Sequence, residues 1–440
     1  MSKLSWEKPP QRGFSGLTCA IASVFCLATG YYYGRQETSL DGSLAVQTSV
    51  VGNLQKCAID NLLGTGLPFL EKASPISLAD FEERRDRLAI ALVAEDVDAF
   101  VVEPGYTFKY YGNVSQPEWE VWEPEERPFL MIVHPQQDEH GTVTANTTFL
   151  CPSFEAERAR LLGMPFDGPI QIVPWEEHWD PYATLQQANI FNSQRPPRLM
   201  VDEEMRDFIQ RGLGTAGFEI VGLKGQVEEV RQIKSASEVE ILRAVNTGTV
   251  EAVRQIRKYE NASNPHGGTN GSKVLEPETF VLIDVGAHLY GYSSDICRTF
   301  FPPFLEKPSG DDNLSERMKE KLQVWDIVFE AQTQSIHQIR ENATAASVDI
   351  AAREVITEAG YGETFTHRVG HGIGIKAHES PYLNQGNVKS LLKTGMTFTS
   401  EPGVYLVDKF GVRHEDVFLV QGDEEPVLLT GTRAGGPWDP

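Results

Sequence analysis

The stretch IDVGAHLYGYSSDICRTF, residues 283–300, holds two carboxylates in a strand-like setting. Asp284 ends a β-rich run, and Asp295 follows eleven residues later at the start of a second one. If the two runs form a hairpin that turns at Leu289–Tyr290, these aspartates lie directly opposite each other, with Cβ atoms about 5 Å apart. Like charges opposed at that distance are unfavourable unless a cation lies between them. The stretch therefore predicts a cation site carried by a β-hairpin.

A second pair of carboxylates has the same symmetry. Glu401 and Glu415 lie at equal distances from Asp408, so a hairpin centred there would bring them together. His371 stands between the two pairs along the chain, in the stretch THRVGHGIG of residues 366–374. Four carboxylates and one imidazole form an oxygen-rich set that suits Mn²⁺ better than a thiolate-rich zinc site would. With bridging carboxylates, these five ligands could hold two ions about 3.5–4 Å apart, which is a hydrolytic arrangement.

The chain before these ligands alternates strand-like and helical runs, the first of them a helical pattern that opens at Ser77. This alternation predicts an α/β domain over residues 76–225. Ser237 and Glu240 have the spacing of a capping box, which predicts the start of a long helix. Further helices and strand-like runs fill residues 226–440, which contain all five of these residues.

Composition excludes several classes of protein. The 440 residues carry 62 acidic and 39 basic side chains, a formal net charge of −23. Such a chain is poorly suited to nucleic acid, whose phosphates need a Lys/Arg surface, and to anionic lipid headgroups. Five cysteines are too few for a disulfide scaffold. We therefore expect ordinary globular domains and no nucleic-acid partner.

The N-terminal part contains an uncharged stretch, FSGLTCAIASVFCLATGYYY at residues 14–33, with basic residues before it. As a helix it would span about 30 Å, the thickness of a bilayer core. The positive-inside rule would keep residues 1–13 in the cytosol and place the catalytic part in the lumen or outside the cell. Three interpretations remain: a retained single-pass signal anchor, a cleaved signal peptide that releases a secreted protein, and a buried core helix. Residues 34–75 are interpreted as a linker.

Potential N-glycosylation sites are a second indication of the secretory pathway. The chain has more Asn-X-Ser/Thr sequons than its composition would give by chance, which favours a translocated glycoprotein. The alternative is that Asn, Ser and Thr merely cluster in loops. The sequons begin at Asn113, Asn146, Asn261, Asn270, Asn313 and Asn342.

Four segments resemble the signature segments of the pita-bread metallopeptidases, the creatinase/aminopeptidase P/prolidase family. They are IDVGAHLYGYSSDICRTF at 283–300, HRVGHGIGIKAHE at 367–379, SEPGVYL at 400–406 and GVRHEDVFLV at 411–420. The nearest branch is that of Xaa-Pro aminopeptidase and Xaa-Pro dipeptidase (prolidase), and the resemblance covers roughly residues 76–440. It implies an α/β creatinase-like N-terminal domain, an α+β pita-bread catalytic domain, and a homodimer.

The resemblance also implies the chemistry. The expected reaction is hydrolysis of the Xaa-Pro bond, at peptide N-termini or in dipeptides, by water activated between two divalent ions, usually Mn²⁺. By similarity, Asp284 binds one ion, His371 and Glu401 bind the other, and Asp295 and Glu415 bridge both. The substrates implied are proline-containing peptides, whose imide nitrogen has no N–H.

Four further residues match catalytic positions of the family. His367 and His378, four residues before and seven residues after His371, match histidines of the active site and substrate site. Arg413 matches an arginine that orients a bridging ligand or a substrate carboxylate. His266 resembles the remaining active-site histidine.

The catalytic domain departs from the family pattern at one place. The helix that starts near Ser237 reaches Tyr259 and passes almost directly into NASNPH at 261–266. The family normally has a second helix and a β-strand there, so this domain is expected to lack one helix–strand unit. The alternatives are a non-catalytic pita-bread protein that acts in binding, and a creatinase-like hydrolase of a non-peptide C–N bond. Retention of all five ligands favours the peptidase.

Overall fold

The computed structural model describes residues 68–120, 124, 126–191, 195–259, 278–310 and 314–440. They form two compact units: Pro75–Ile233 is one, and the other contains Lys234–Pro440 with the residues before Pro75. The predicted domain boundary at 225/226 stays a prediction.

Several sequence predictions fall outside the described residues. They are the cytosolic segment 1–13, the membrane-spanning stretch 14–33, almost all of the linker 34–75, and His266. Among the helices of the described part of the chain, none is both long and apolar enough to cross a membrane.

The unit Pro75–Ile233 is built around one six-stranded sheet. Its strands are β1 (Ala99–Val102), β2 (Leu130–Gln137), β3 (Val143–Pro152), β4 (Gln171–Trp175), β5 (Arg198–Val201) and β6 (Glu219–Gly222). Across the sheet their order is β4-β3-β2-β1-β5-β6. β1, β5 and β6 run parallel, whereas β1 and β2 are antiparallel. The α/β architecture predicted for this part of the chain is confirmed.

Seven α-helices accompany this sheet in the part of the unit that the structure describes. They are α1 (Leu78–Ala94), α2 (Tyr106–Gly112), α3 (Gln116–Trp119), α4 (Ala156–Leu161), α5 (Pro181–Gln187), α6 (Asp207–Thr215) and α7 (Gly225–Gln232). α1 begins where the sequence predicted, because Ser77 and Asp80 form a reciprocal capping box. Its buried side chains, Phe81, Leu88 and Leu92 among them, recur at helical spacing and form the face that packs on the sheet.

The second unit carries all five predicted ligands. Its helices are α8 (Ala236–Tyr259), α9 (Glu316–Ile336) and α10 (Ala345–Glu358). Its strands are β7 (Val281–Val285), β8 (His288–Leu289), β9 (Tyr292–Ser293), β10 (Ile296–Phe300), β11 (Gly370–Gly372), β12 (Glu379–Leu383), β13 (Thr397–Ser400), β14 (Gly403–Leu406), β15 (Phe410–Arg413), β16 (Asp416–Leu419) and β17 (Val427–Leu428). Five of these strands form one sheet with the order β12-β11-β13-β16-β17. The others form two-stranded sheets, β7 with β10, β8 with β9, and β14 with β15.

The start of α8 differs from its prediction. The capping box is formed by Ser235 and Glu238, two residues before the predicted pair: Ser235 N donates to Glu238 Oε2 at 2.8 Å, and Glu238 N donates to Ser235 Oγ at 3.3 Å. The physical reason is tertiary. Glu238 is fully buried and also accepts a hydrogen bond from the Tyr292 hydroxyl at 2.8 Å. The missing helix–strand unit was predicted between α8 and β7, at residues outside the described part of the chain, and stays a prediction.

Candidate metal centre

The first hairpin brings Asp284 and Asp295 to one face, but not directly opposite each other. β7 pairs with β10 so that Asp284 lies opposite Cys297, and β8 and β9 keep the same register. The predicted direct opposition is therefore wrong by two residues. The cause is the turn, because Tyr290 (φ 50°) and Gly291 (φ 92°) both have positive φ, as a two-residue type I′ turn requires. A shift of two residues preserves the face, so the carboxylates are diagonal neighbours.

The second hairpin has the predicted register. β14 and β15 pair symmetrically about Asp408, which has a φ of 61°, and β13 and β16 continue the same register. Glu401 and Glu415 lie between these two pairs of strands, one on each side of the hairpin. Glu415 N donates to the carbonyl oxygen of Cys297 at 3.0 Å, which joins this hairpin to the first one.

Two glycines allow β11 to carry His371 to the carboxylates. A Cβ at Gly370 would lie 2.1 Å from the carbonyl oxygen of Thr399, and one at Gly372 would lie 2.7 Å from that of Glu379. A larger residue at either position would push the strands apart. His371 Nδ1 faces the carbonyl oxygen of Gly372 at 3.1 Å. Nδ1 therefore carries the hydrogen, and Nε2 is free to face the carboxylates.

All five predicted ligands come together in overlapping groups. Within each group the potential ligand atoms lie within 4.8 Å of one another, and the groups are Asp284–Asp295–Glu415, His371–Glu401–Glu415 and Asp295–His371–His378. His371 Nε2 lies 3.3 Å from Glu401 Oε1 and 3.6 Å from Asp295 Oδ2. Because Asp295, His371 and Glu415 each belong to two groups, the cluster is continuous. It offers adjacent cation positions with shared carboxylates.

Burial and mutual repulsion disturb the carboxylates of this cluster. The pKa of Asp295 is raised to about 7, chiefly by burial and also by the charges of Asp284 and Glu401, against the opposing effect of His371. Glu415 is fully enclosed, and its burial, followed by the charge of Asp295, raises its pKa well above the ordinary value. Buried like charges cost free energy unless a counter-charge is present. The cluster therefore fits divalent cations in both its donor chemistry and its charge.

His378 lies at the open side of the cluster. Its Nε2 is 3.7 Å from Asp295 Oδ2, its ring centre is 4.3 Å from that of His371, and its side chain is 61% exposed. Burial of the ring and the charge of His371 lower the pKa of His378. A neutral imidazole with one face toward solvent can therefore meet an incoming ligand here.

His367 is more enclosed and begins a chain of polar contacts. Its Nδ1 donates to the carbonyl oxygen of Arg368 at 2.7 Å, and its Nε2 faces the Tyr405 hydroxyl at 2.7 Å. Burial lowers the pKa of His367, so the neutral ring accepts the hydrogen of Tyr405. Tyr405 in turn accepts from Arg413 Nη1 at 2.9 Å, and Arg413 Nη2 forms an ion pair with Asp284.

Tyr405 was not among the residues that the sequence predicted. Its signal was its place in SEPGVYL, four residues after Glu401, where strand alternation puts both side chains on one face. Arg413 was predicted, and its guanidinium contacts a predicted ligand. His266 lies outside the described residues, so its assignment stays a prediction.

A buried ion pair beside Glu415 was also missed. Arg298 Nη2 lies 2.5 Å from Asp416 Oδ1, with both side chains 1% exposed, and Arg298 Nη1 donates to the carbonyl oxygen of Glu415 at 2.6 Å. The other carboxylate oxygen of Asp416 accepts from Gln332 at 3.0 Å. These bonds hold the backbone that presents Glu415. Only the adjacency of Asp416 to Glu415 hinted at them in the sequence.

Comparison with known proteins assigns the chain to a family. The family model of metallopeptidase family M24 matches residues 227–422. An uncharacterized peptidase of Schizosaccharomyces pombe is 35% identical over 433 residues, which cover 90% of this chain and 91% of that relative. The chain belongs to metallopeptidase family M24, so the family resemblance inferred from its motifs is confirmed.

The same alignment bears on the length of the chain. The alignment has 433 positions, whereas 90% of the 440 residues of this chain is about 396 residues. This chain therefore has a gap at about 37 of the aligned positions. Loss of one helix–strand unit would give a deficit of this size. Its place between α8 and β7 stays a prediction.

Two solved structures are similar to this fold. The prolidase from Thermococcus sibiricus has 26% sequence identity and a TM-score of 0.61, and the match covers 80% of this chain and 97% of that one. The dipeptidase from Pyrococcus horikoshii has 27% identity and a TM-score of 0.59, with 79% and 97% covered. These similarities confirm the predicted pita-bread fold with a creatinase-like N-terminal domain.

Proposed function

We propose that this chain is a metal-dependent exopeptidase that hydrolyses the Xaa-Pro bond, at peptide N-termini or in dipeptides. Membership of metallopeptidase family M24 supports metal-dependent peptide hydrolysis, and two similar structures are named a prolidase and a dipeptidase. One observation carries the proposal: Asp295, His371 and Glu415 each lie in two of the overlapping ligand groups. A site with shared ligands is what a two-ion hydrolase needs.

The residues fit two divalent ions, which we take to be Mn²⁺. Asp284, Asp295 and Glu415 would hold one ion, while His371, Glu401 and Glu415 would hold the other. Four carboxylates with a single imidazole are the ligands that a hard divalent cation prefers. When bound, such ions supply Lewis acidity, which lowers the pKa of water and polarises a carbonyl oxygen.

The side chains of the protein would bind and orient the substrate. His378, largely exposed and 3.7 Å from Asp295, is placed to donate a hydrogen bond from a neutral ring to the carbonyl oxygen before proline. The Arg413 guanidinium fixes the direction of the Asp284 carboxylate through their ion pair. Tyr405 fixes Arg413 in turn, and its own hydrogen is held at Nε2 of His367.

A dedicated site is needed because an Xaa-Pro bond is an unusual substrate. The imide nitrogen of proline has no N–H, and the ring fixes φ. A peptidase that holds an extended backbone by hydrogen bonds loses one donor at this position. A site that relies on its own histidines, arginine and carboxylates does not depend on that donor.

Cleavage assays with the full chain loaded with Mn²⁺ test the proposal. We expect cleavage of Ala-Pro or of Ala-Pro-Ala and none of Ala-Ala, loss of activity with a chelator, and recovery with added Mn²⁺. Asp295→Ala should abolish cleavage because it removes a ligand shared between two groups. Absence of both metal binding and cleavage would contradict the proposal.

A binding role without catalysis is the second candidate. The aligned positions at which this chain has no residue favour it, because part of the catalytic domain would then be missing. It predicts that the chain retains Mn²⁺ and binds proline peptides without cleaving them. Calorimetric titration of the loaded chain with Ala-Pro, followed by product analysis of the same sample, separates this candidate from the enzyme.

We also propose that the chain enters the secretory pathway through residues 14–33 and carries glycans. Two of the sequon asparagines, Asn113 and Asn342, are exposed to solvent. Expression in a eukaryotic host should give a protein whose gel mobility increases after endoglycosidase treatment, and less so in Asn113→Gln and Asn342→Gln. Identical mobility before and after treatment would contradict this location.

A further inference from the structure

Gln332 of α9 forms hydrogen bonds to both β13 and β16, the strands that continue the second hairpin. Its side chain is fully buried, and its amide nitrogen lies 3.1 Å from the carbonyl oxygen of Ser400 and 3.0 Å from Asp416 Oδ2. Its amide oxygen accepts from Arg433 Nε at 2.9 Å and from Arg433 Nη2 at 2.7 Å. Because arginine can only donate, the amide nitrogen must face the two acceptors. Both hydrogens and the oxygen of the Gln332 amide are therefore used.

The two residues that Gln332 joins are the immediate neighbours of two predicted metal ligands. Ser400 and Asp416 lie opposite each other at the end of the β13/β16 ladder. Glu401 directly follows Ser400, and Glu415 directly precedes Asp416. Each glutamate is therefore one residue away from a strand position that Gln332 holds.

The backbones of the two glutamates bond to different neighbours. Glu401 N donates to the carbonyl oxygen of Val369 at 2.7 Å, whereas Glu415 N donates to that of Cys297 at 3.0 Å. The ladder of the hairpin is interrupted at these residues and resumes in β14 and β15. The separation of the two carboxylates therefore depends on the strand pairs on either side of them, and Gln332 fixes one of these pairs.

This support should matter differently for the two proposed cation positions. The second cation position is formed by His371, Glu401 and Glu415, and both of its carboxylates adjoin the pair that Gln332 joins. The first cation position is formed by Asp284, Asp295 and Glu415, and only one of its carboxylates does so. Loss of a residue that holds metal ligands in place commonly weakens metal binding about 10- to 100-fold. Loss of the Gln332 amide should therefore weaken the second position more than the first.

We propose that Gln332, held in turn by Arg433, is a positioning residue that sets the separation of Glu401 and Glu415 and so the affinity of the second cation position. The inference rests on the function proposed above, because it requires a centre with two ions. It extends that proposal from the ligands to α9, a helix that contributes none of the five.

The test measures stepwise Mn²⁺ binding to the full chain by calorimetric titration. Glu401→Ala removes a ligand of the second position alone and so identifies the binding event of that position. Gln332→Met keeps the length of the side chain but removes its hydrogen bonds. It should raise the Kd of this event about 10- to 100-fold and that of the other event about threefold or less. Arg433→Lys, which keeps the charge but not the two-point contact, should give a smaller increase at the second position.

The electron paramagnetic resonance spectrum is a second readout, which a loss of stability alone does not change. Two Mn²⁺ ions that share carboxylates are magnetically coupled, whereas an ion without its neighbour is not. With two Mn²⁺ added per chain, Gln332→Met should therefore show a larger uncoupled signal than the wild type. A spectrum identical to that of the wild type would overturn the inference.

Gln334→Met is the matched control, because it is the same substitution two residues further along α9. The Gln334 amide bonds to Glu330 of the same helix. This variant should leave both binding events and the spectrum unchanged. A loss of affinity concentrated at the second position in Gln332→Met supports the inference. An equal loss at both positions, or no loss at either, overturns it.

Folding and function are separated by two further comparisons. If urea unfolding shows that Gln332→Met does not fold, Arg433→Lys decides by the same criterion. If the wild type binds two ions but cleaves no proline peptide, the proposed function fails, and the binding measurements still decide the inference. If the wild type binds fewer than two ions, the inference is overturned, whether or not the chain cleaves peptides.

Discussion

The two hairpins that carry the carboxylates differ in how their turns set the register. In the first, two residues with positive φ, Tyr290 and Gly291, connect β8 to β9. In the second, residues 407–409 connect β14 to β15, and the pairing is symmetric about Asp408. Symmetric spacing of two acids thus predicted opposition correctly in one hairpin and missed it by two residues in the other. The face was correct in both, because a shift of two residues preserves it.

The hairpins also differ in the positive group that stands beside each acidic pair. Asp284 of the first hairpin meets Arg413, which comes from the second hairpin. Glu401 of the second hairpin meets His371 at 3.3 Å, a residue that is charged only when protonated. Asp284 therefore faces an arginine, whereas Glu401 faces an imidazole whose charge depends on its protonation.

The largest expected effect tests whether the hairpins contribute equally. Asp295→Ala in the first and Glu415→Ala in the second each remove a carboxylate that two ligand groups share. We expect both variants to lose peptidase activity and to bind fewer than two Mn²⁺ per chain, as measured by metal analysis after dialysis. Glu316→Gln, at a side chain that is 90% exposed, is the control. Full activity in one of the two alanine variants would show that only one cation position is used.

A second prediction concerns pH in the metal-free protein. The pKa of Asp295 is about 7 in the folded chain, against about 3.9 in an unfolded one. The folded state holds this proton more tightly, so stability present below about pH 4 is lost as the pH rises toward 7. Asp295→Asn should therefore raise the free energy of unfolding at pH 8 by about 4 kcal/mol, since each pKa unit corresponds to about 1.4 kcal/mol, and flatten its pH dependence.

Urea unfolding at several pH values with a chelator present measures this effect. Added Mn²⁺ should stabilise the wild type more than Asp295→Asn, because the variant has one ligand fewer. If the variant is less stable than the wild type at pH 8 without metal, the ionised Asp295 carboxylate does not destabilise the metal-free protein, and the prediction is wrong.

A third prediction concerns the polar contacts that support Arg413, the residue of the second hairpin that pairs with Asp284 of the first. Tyr405→Phe removes the hydroxyl between His367 and Arg413, which contacts Asp284. We expect activity to fall about 10-fold with little change in Mn²⁺ affinity, because the ligands remain but one loses its fixed direction. Tyr361→Phe, which removes a hydroxyl from a partly buried tyrosine just after α10, is the matched control. Unchanged activity in Tyr405→Phe would mean that Arg413 holds Asp284 without help.

The smallest expected effect is on stability, and it comes from substitutions in the turns of the two hairpins. Gly291→Ala puts a Cβ on a residue with a φ of 92°, which should cost about 1 kcal/mol of stability. Asp408→Gly, at a φ of 61°, should change stability by less than about 0.5 kcal/mol, because relief of the backbone is offset by a more flexible unfolded chain. Urea unfolding of both variants with Mn²⁺ present makes the comparison. A larger cost at Asp408 would reverse it.

Local patterns predicted much of the fold. The start of α1 was predicted because Ser77 and Asp80 are close in sequence and cap each other without outside help. The start of α8 was not, since two serines competed and the buried contact between Glu238 and Tyr292 selected the earlier one. Such a choice depends on a partner 54 residues away.

The candidate site divides in the same way. The five predicted ligands were recognised as a set, because two pairs of carboxylates with hairpin symmetry and an imidazole between them indicate a cation site. Tyr405 and the Arg298–Asp416 pair were missed, because an uncharged hydroxyl or a buried ion pair has no sequence pattern of its own. Their roles appear only when strands from distant parts of the chain are neighbours.

The sequence by itself determined the kind of ligands, their order and the face of each strand on which they lie. These features follow from residue chemistry and from strand alternation, which act within a few residues. Tertiary structure decided the register of the first hairpin, the overlap of the ligand groups and the hydrogen bonds of Gln332 to both β13 and β16. Those features depend on turn geometry and on contacts between strands that are far apart in sequence, where the balance of many packing and charge interactions sets distances of a few ångströms.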